Sequence, residues 1–179
     1  MTNNLELPSL ASLEFLIYIN DVGELATQLQ GAIGIYAIFD RQQTLQFVGY
    51  SRDIYLSLKQ HLVRQPESCH WLKATTIERP NRTFLESVQA AWIAENGSVP
   101  IGNAENSQIW VDSIDTNYAM SDAERASFED LDGVAQIKLR KQVARRVEET
   151  ILTKLKERGV QTEIRFNPKL KEQGLLDLK

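Results

Sequence analysis

The sequence has little of several things that define special classes of protein. Its 179 residues include 1 cysteine, 5 prolines and 9 glycines. The single cysteine, Cys69, excludes an internal disulfide and is typical of a reducing compartment. So little glycine and proline excludes a collagenous chain, and a hydrophobic content of 42% excludes a wholly disordered one. No apolar run reaches ~18 residues, which excludes a membrane-spanning helix.

The first apolar run is too short, and its flanks are of the wrong kind, to direct export. It covers residues 15–19, follows Glu14 and has no basic residue before it, so it makes a poor signal peptide. We therefore expect a cytoplasmic protein. Its length is typical of one main domain with an extension.

The net charge of −4 hides a strong asymmetry along the chain. Residues 1–133 carry 8 basic and 18 acidic residues, whereas residues 134–179 carry 12 basic and 6 acidic residues. Two interpretations remain open. The basic part faces a nucleic acid or an acidic partner, or it neutralises the acidic segment 105–132 of its own chain. A sequence pI near 5.3 favours partners other than nucleic acid.

The first hundred residues alternate between strand and helix patterns. Clusters of apolar, β-branched and aromatic residues predict strands over residues 13–18, 31–40, 44–49 and 71–77. Apolar residues that recur at helical spacing predict three helices. One is short, through Leu25 and Leu29; one starts near Asp53; and one ends at Gly97.

One long helical pattern dominates the C-terminal part. Ser121 and Glu124 have the spacing of a capping box, and the helix that starts there is predicted to run to Arg158 with a break at residues 132–133. Its buried stripe is predicted to contain Val143, Val147, Ile151 and Leu155. Residues 109–111 and 160–166 are predicted to form short strands.

Two triplets and their spacing carry a resemblance to a known family. Gly34-Ile35-Tyr36 ends a predicted strand, and Phe47-Val48-Gly49 follows after ten intervening residues and opens a helix. With the order strand, strand, helix, strand, helix over residues 32–103, this resembles the GIY-YIG nuclease domain. It is similar in particular to the nuclease-like N-terminal domain of plastid monothiol glutaredoxins, through residues 47–52, 92–93 and 100–103. This resemblance points to a cyanobacterial or plastid lineage.

The resemblance implies hydrolysis of phosphodiester bonds in DNA or RNA with one divalent metal, Mg²⁺ or Mn²⁺. In the family, a tyrosine of the first triplet activates water with help from a second tyrosine. An arginine in the first helix holds the phosphate, and a glutamate in the second helix binds the metal. The cation and the metal stabilise charge on the phosphoryl oxygens, and Mg²⁺ prefers oxygen ligands such as carboxylates.

Transferred residue by residue, this site is incomplete. Tyr36 is present, but Phe47 lacks the second hydroxyl. Ser57 stands in the place of the arginine, and Gln89 stands in the place of the metal-binding glutamate. Because a neutral amide is a poor replacement for a carboxylate at Mg²⁺, the resemblance predicts impaired or absent cleavage.

Neighbouring residues offer substitutes for the missing groups. The candidate catalytic residues are Tyr36, His61, Arg52 and Asn103, and the candidate metal ligand is Glu86. Arg52 offers a guanidinium suited to phosphate, and His61 lies one turn beyond the place of the arginine on the same helix face. Without the resemblance, Tyr36 is expected to be a core tyrosine with its hydroxyl at the rim, and His61 a partly exposed helix residue.

Two functional hypotheses follow. In the first, the site is degenerate, cleavage is impaired or absent, and a nucleic acid is bound weakly by the basic residues Lys138, Lys141, Arg145 and Arg146. In the second, the same scaffold is a non-enzymatic module for protein interaction or assembly, with an acidic protein as partner. Binding that weakens steeply with salt would favour the first.

The expected architecture is an α+β fold with a small, mainly antiparallel sheet flanked by helices and a long C-terminal helix. The predicted organisation has an N-terminal extension over residues 1–31 and a GIY-YIG-like domain over 32–103. An acidic linker over 104–133 and a basic helix and strand over 134–179 complete it.

Overall fold

The computed structural model describes residues 8–179, and the chain divides into two compact units. The first unit ends at Val111 and the second spans Asp112–Lys179. Both units contain helices and antiparallel strands, which confirms the predicted α+β class. The four predicted domain ranges stay predictions, and residues 1–7 of the predicted extension lie outside the described residues. Within residues 8–179, no helix is long and apolar enough to cross a membrane.

A four-stranded antiparallel sheet forms the centre of the first unit. Its strands are β1 (Leu16–Ile17), β2 (Ile33–Phe39), β3 (Leu45–Ser51) and β4 (Trp71–Ile77). They lie in the order β1-β4-β2-β3, so β2 is central and β3 is at one side. Tyr36 of β2 pairs with Gly49 of β3 and with Ala74 of β4. Since successive side chains of a strand point to opposite faces, Ile35 and Tyr36 belong to different faces of the sheet.

Two helices cover the two faces of this sheet. Helix α1 (Ile54–Arg64) is capped by the side chain of Asp53, and helix α2 (Arg82–Asn96) ends at Gly97, which has a φ of +80°. The buried side of α2 packs against the Ile35 face of the sheet in a cluster that includes Leu85, Val88, Trp92, Ala37 and Val48. Both helices and the three longer strands lie where the sequence predicts them.

Helix α3 (Gln108–Val111) differs from the strand predicted over residues 109–111. The main-chain N–H groups of Trp110 and Val111 both donate to the carbonyl of Ser107, which closes a helical turn. Three apolar residues in a row do not distinguish a strand from a helix, because neither period is visible over so short a stretch.

The second unit contains two α-helices, two 3₁₀ turns and one pair of short strands. Helix α4 (Asp122–Phe128) begins with the predicted capping box of Ser121 and Glu124, and helix α5 (Gly133–Glu157) begins after its own cap, Asp132. The predicted break is therefore confirmed. The predicted buried stripe is confirmed as well, since the buried residues of α5 are Val143, Ala144, Val147, Ile151 and Leu155.

The strand predicted over residues 160–166 is absent from the structure. Of these residues only Phe166 makes a β-bridge, with Leu178. The paired strands are instead β5 (Ile114–Asp115) and β6 (Leu175–Leu176). Strands of two residues have no periodicity, so the sequence pattern gave no sign of them. The short N-terminal helix is likewise reduced to the 3₁₀ turn Thr27–Leu29.

Candidate functional site

Tyr36 and His61 form a hydrogen-bonded pair inside the first unit. The Tyr36 hydroxyl lies 2.8 Å from Nε2 of His61. Strand β2 places the tyrosine on the face of the sheet opposite Ile35, and α1 places the histidine against it. Each residue is only 3% exposed, so neither is the rim tyrosine or the partly exposed histidine expected without the resemblance. The structure thus brings together two of the four predicted catalytic residues.

Two further aromatic rings close the space around this pair. Phe47 of β3 lies with its ring centroid 4.6 Å from that of His61 and 6.2 Å from that of Tyr36. Trp110 of α3 stacks on Phe47 with nearly parallel rings 5.4 Å apart, and it is 1% exposed. Tyr36, Phe47, His61 and Trp110 therefore form one aromatic cluster, which keeps bulk water away from the tyrosine hydroxyl.

Glycine is required at two positions for this packing. A β-carbon on Gly49, opposite Tyr36, would lie 2.5 Å from the Phe47 ring and 2.7 Å from the Tyr36 hydroxyl oxygen. A β-carbon on Gly102 would lie 2.7 Å from the carbonyl oxygen of Gln46 and 2.9 Å from the Trp110 ring. A β-carbon at any of these four distances would overlap its neighbour. Packing therefore requires glycine both at position 49, in the second triplet, and at position 102.

Burial controls the protonation of the central pair. The loss of solvent raises the pKa of the Tyr36 phenol above its usual range. Burial, together with the positive charge of Arg64, lowers the pKa of His61 to about 3. At neutral pH both groups are therefore uncharged. A histidine with so low a pKa and without access to water is a weak general base at neutral pH.

The place of the family's arginine is close to the tyrosine but carries no charge. Ser57 lies beside Tyr36, where its polar hydroxyl partly opposes the rise of the tyrosine pKa. Its hydroxyl also donates to the Ser51 hydroxyl at 2.8 Å. Arg52, the predicted substitute, is exposed at the residue before the cap of α1, whereas Tyr36 is buried.

Glu86, the predicted metal ligand, lies on the other face of the sheet. Its Oε1 accepts hydrogen bonds from the Tyr50 hydroxyl at 3.1 Å and from Nε of Arg82 at 2.7 Å. Tyr50 follows Gly49 in β3, so its side chain points away from Tyr36. The hydrogen bond from Arg82 also holds the pKa of Glu86 below its usual range. The carboxylate is thus already matched by a cation.

The donor set does not fit a divalent metal beside Tyr36. Among residues 8–179, no group of three or more His, Cys, Asp or Glu side chains is placed to hold a metal ion. Gln89, in the place of the metal-binding glutamate, donates from Nε2 to the carbonyl of Val48 at 2.8 Å. Mg²⁺ and Mn²⁺ take several hard oxygen ligands, and these residues do not supply them.

Asn103 binds the main chain of Val48 with both ends of its amide. Oδ1 accepts from the Val48 N–H at 2.8 Å, and Nδ2 donates to the Val48 carbonyl at 2.8 Å. These main-chain groups point away from β2, because Val48 belongs to the outermost strand of the sheet. Asn103, a predicted catalytic residue, therefore has a structural role. Its two hydrogen bonds hold the turn at residues 101–103 against β3.

Replacing Asn103 by alanine should lower the free energy of unfolding by about 1–2 kcal/mol, because two partly buried hydrogen bonds are lost. Urea denaturation followed by circular dichroism measures this change. Asn106→Ala is the matched control, since Asn106 is exposed a few residues along the same segment. Equal stability of the two variants would contradict this structural role.

Two of the four predicted nucleic-acid-binding residues are engaged in ion pairs within the second unit. Arg146 makes two hydrogen bonds with the carboxylate of Glu124, at 2.7 and 2.8 Å, and these lower the pKa of Glu124 to about 2. Lys141 pairs with Glu172 at 2.8 Å. The basic helix is therefore neutralised in part by acidic residues of its own unit. The other two residues, Lys138 and Arg145, are exposed.

The role of Trp110 could not be read from the sequence. Trp110 and Phe47 are 63 positions apart, and the predicted elements do not place them together. A tryptophan in a short apolar run signals burial, but it does not signal which ring it covers.

The comparisons with known proteins give one partial relative. No family model matches the chain. Over 90 residues, which are 48% of this chain, the sequence is 37% identical to the bifunctional monothiol glutaredoxin-S16, chloroplastic, of Arabidopsis thaliana. The chain spans 31% of the length of that relative. It is thus similar to part of a chloroplastic monothiol glutaredoxin.

Proposed function

We propose that the first unit is a GIY-YIG-like domain in which metal-dependent phosphodiester cleavage is impaired or absent, and that the protein serves in binding. The observation that carries this proposal is the burial of the Tyr36–His61 pair beneath Phe47 and Trp110. A phosphodiester and its attacking water have to reach the group that activates the water. In this chain aromatic rings fill that space.

The chemistry of the surrounding residues supports the same proposal. The place of the arginine holds the uncharged Ser57, and the guanidinium of Arg64, whose charge reaches Tyr36, donates to the main-chain carbonyl of Trp110 instead of facing an open phosphate site. The amide of Gln89 is bound to a main-chain carbonyl. Glu86 is paired with Arg82 on the other face. At each of these positions, a group that cleavage would need is missing or is already bound to another part of the chain.

The first candidate for the ligand is DNA or RNA, bound weakly. Lys138 and Arg145 remain available for phosphate contacts, whereas Lys141 and Arg146 are paired with carboxylates. Because each phosphate contact adds to the salt dependence, we expect an affinity that falls only shallowly with salt.

The second candidate is a protein partner, which is favoured by apolar surface in the segment that contains Trp110 of the aromatic cluster. Four large apolar side chains within residues 99–111 are about half exposed, namely Val99, Ile101, Ile109 and Val111. Exposed apolar residues that lie near one another are typical of interaction surfaces.

A cleavage assay tests the proposal directly. We expect the protein and its Tyr36→Phe variant, purified identically, to leave supercoiled DNA, single-stranded DNA and RNA intact in Mg²⁺ and in Mn²⁺. Metal-dependent cutting that is lost in Tyr36→Phe would overturn the proposal. Cutting that survives in Tyr36→Phe would identify a contaminating nuclease, since the variant lacks the hydroxyl that activates water.

Retention on nucleic acid separates the two candidates. If retention on single-stranded DNA or RNA decreases with salt and decreases further in Lys138→Gln, the basic face binds phosphates. If neither nucleic acid is retained at low salt, the protein partner stands as the candidate.

A further inference from the structure

The second unit contains a small cavity with a strong excess of basic side chains. It has a volume of about 170 Å³ and lies between helix α5 and the turn that follows Pro168. We call it the basic cavity, and its lining consists of Lys141, Arg145, Pro168, Lys169, Lys171 and Glu172.

The fold holds both walls of this cavity in place. Lys141 and Arg145 are one turn apart on α5, so their side chains share a face of the helix. The opposite wall is the 3₁₀ turn Leu170–Gln173, which ends at Gly174 with a φ of +74°. The carbonyl of Gly174 accepts hydrogen bonds from the main-chain N–H and the hydroxyl of Thr116, at 2.8 and 2.7 Å, and Thr116 is fully buried. The turn is therefore anchored and not a loose loop.

The ion pairs leave two positive charges in the cavity without a matching carboxylate. Lys141 pairs with Glu172, and Lys171 pairs with Glu148. Among the described residues, neither Arg145 nor Lys169 makes an ion pair with a carboxylate, and Lys169 acts on Glu172 only through its charge at longer range. Four cations and two carboxylates thus give a local charge of +2, and the pairs hold two of the lysines in fixed positions.

A larger cavity of about 480 Å³ continues from the basic cavity along α5 and shares Arg145 and Lys171 with it. Its remaining lining is of mixed chemistry, with Glu148, Glu149, Leu152, Thr153 and Lys156. The larger volume is in the range of small-molecule pockets, whereas 170 Å³ is below that range. The basic cavity therefore suits only a compact group, and the larger cavity suits the remainder of the molecule that carries it.

We propose that the basic cavity binds the phosphate group of a small phosphorylated molecule, with Arg145 and Lys169 as its principal contacts. A phosphate monoester carries a charge of about −1.5 to −2 at pH 7, which matches the local +2. The planar guanidinium of Arg145 offers two donors to phosphate oxygens. Glu148 and Glu149 repel a chain of further phosphates along the larger cavity, which disfavours a nucleic acid. The proposal does not depend on cleavage in the first unit, because every lining residue belongs to the second.

Calorimetric titration of the full chain with inorganic phosphate and with glucose 6-phosphate tests this proposal. We expect saturable binding of both probes, and a loss of affinity of about 10-fold in Arg145→Gln and in Lys169→Gln, as for a hydrogen bond to a charged group. Lys154→Gln is the matched control, since Lys154 lies on α5 but lines neither cavity. Its affinity for both probes should equal that of the parent.

A short oligonucleotide without terminal phosphates is the competing ligand, since it presents only phosphodiesters and no phosphate monoester. Tighter binding of the oligonucleotide than of phosphate would overturn the proposal in favour of a strand backbone. No binding of either phosphate probe, or an equal loss in Lys154→Gln, would also overturn it. If Arg145→Gln fails to fold, Arg145→Lys keeps the charge but loses the planar fork, and it should still weaken glucose 6-phosphate binding.

Discussion

Replacing Trp110 by alanine should lower the free energy of unfolding by about 3–5 kcal/mol, which makes it one of the most damaging single changes in the chain. The side chain is 1% exposed and stacks on Phe47, so the substitution removes a whole buried ring and leaves a cavity beside His61. The α3 turn has only four residues and cannot collapse far into that space. Urea denaturation at pH 7 measures the loss.

Ile109→Ala is the matched control for this change. Ile109 is the neighbouring residue in the same helical turn, but its side chain is 54% exposed. The control should therefore cost less than about 1 kcal/mol. Equal losses in the two variants would show that Trp110 does not fill the space around the Tyr36–His61 pair.

Acidification should destabilise the protein through His61. The pKa of this imidazole is about 3 in the folded state, against an ordinary value of 6.5. Below pH 6.5 the unfolded chain takes up a proton that the folded chain does not bind. The free energy of unfolding should then fall by up to about 1.4 kcal/mol per pH unit from pH 6.5 towards pH 3. Above pH 6.5 His61 is neutral in both states and contributes no pH dependence.

Denaturation at a series of pH values, in the parent and in two histidine variants, measures this effect. His61→Gln keeps a polar side chain near the Tyr36 hydroxyl but does not titrate, so its stability should fall less steeply between pH 6.5 and pH 4. His70→Gln, which removes the other histidine of the chain, is the comparison variant. A parental slope in His61→Gln would contradict the buried, neutral imidazole.

The two predictions are linked by the same cluster. If Trp110 shields His61 from water, Trp110→Ala should also bring the pKa of His61 closer to its ordinary value. The steep acid dependence would then be reduced in that variant as well.

The sequence predicted the elements whose residues carry a visible period. Strand β2 and helices α1 and α5 are long, and Leu58 in α1 and Val147 in α5 occupy the buried positions that the spacing requires. Strands β5 and β6 have two residues each, and α3 has four, so a period cannot appear in them. Their conformation is set by partners distant in sequence, such as the Phe47 ring for Trp110.

For the candidate site, the sequence indicated which residue types stand at the expected places but not what they contact. The pairing of Tyr36 with His61 follows from a strand and a helix that both were predicted. The sequence could not show that Glu86 would lie across the sheet, because that depends on the face to which α2 docks. Nor could it show that Gln89 and Asn103 would bind the main chain of Val48, since such contacts leave no local pattern.

The position of Asn103 has a consequence for self-association. The outermost strand of a sheet presents unpaired main-chain donors and acceptors, and these can recruit a strand from another chain. Along β3 the Val48 N–H and carbonyl are taken by Asn103 and Gln89, and Gly102 packs against the carbonyl of Gln46. An incoming strand would have to displace both amides before it could pair with Val48. Asn103, which stands in the place of a catalytic asparagine, thus hinders the pairing of β3 with a strand of another chain.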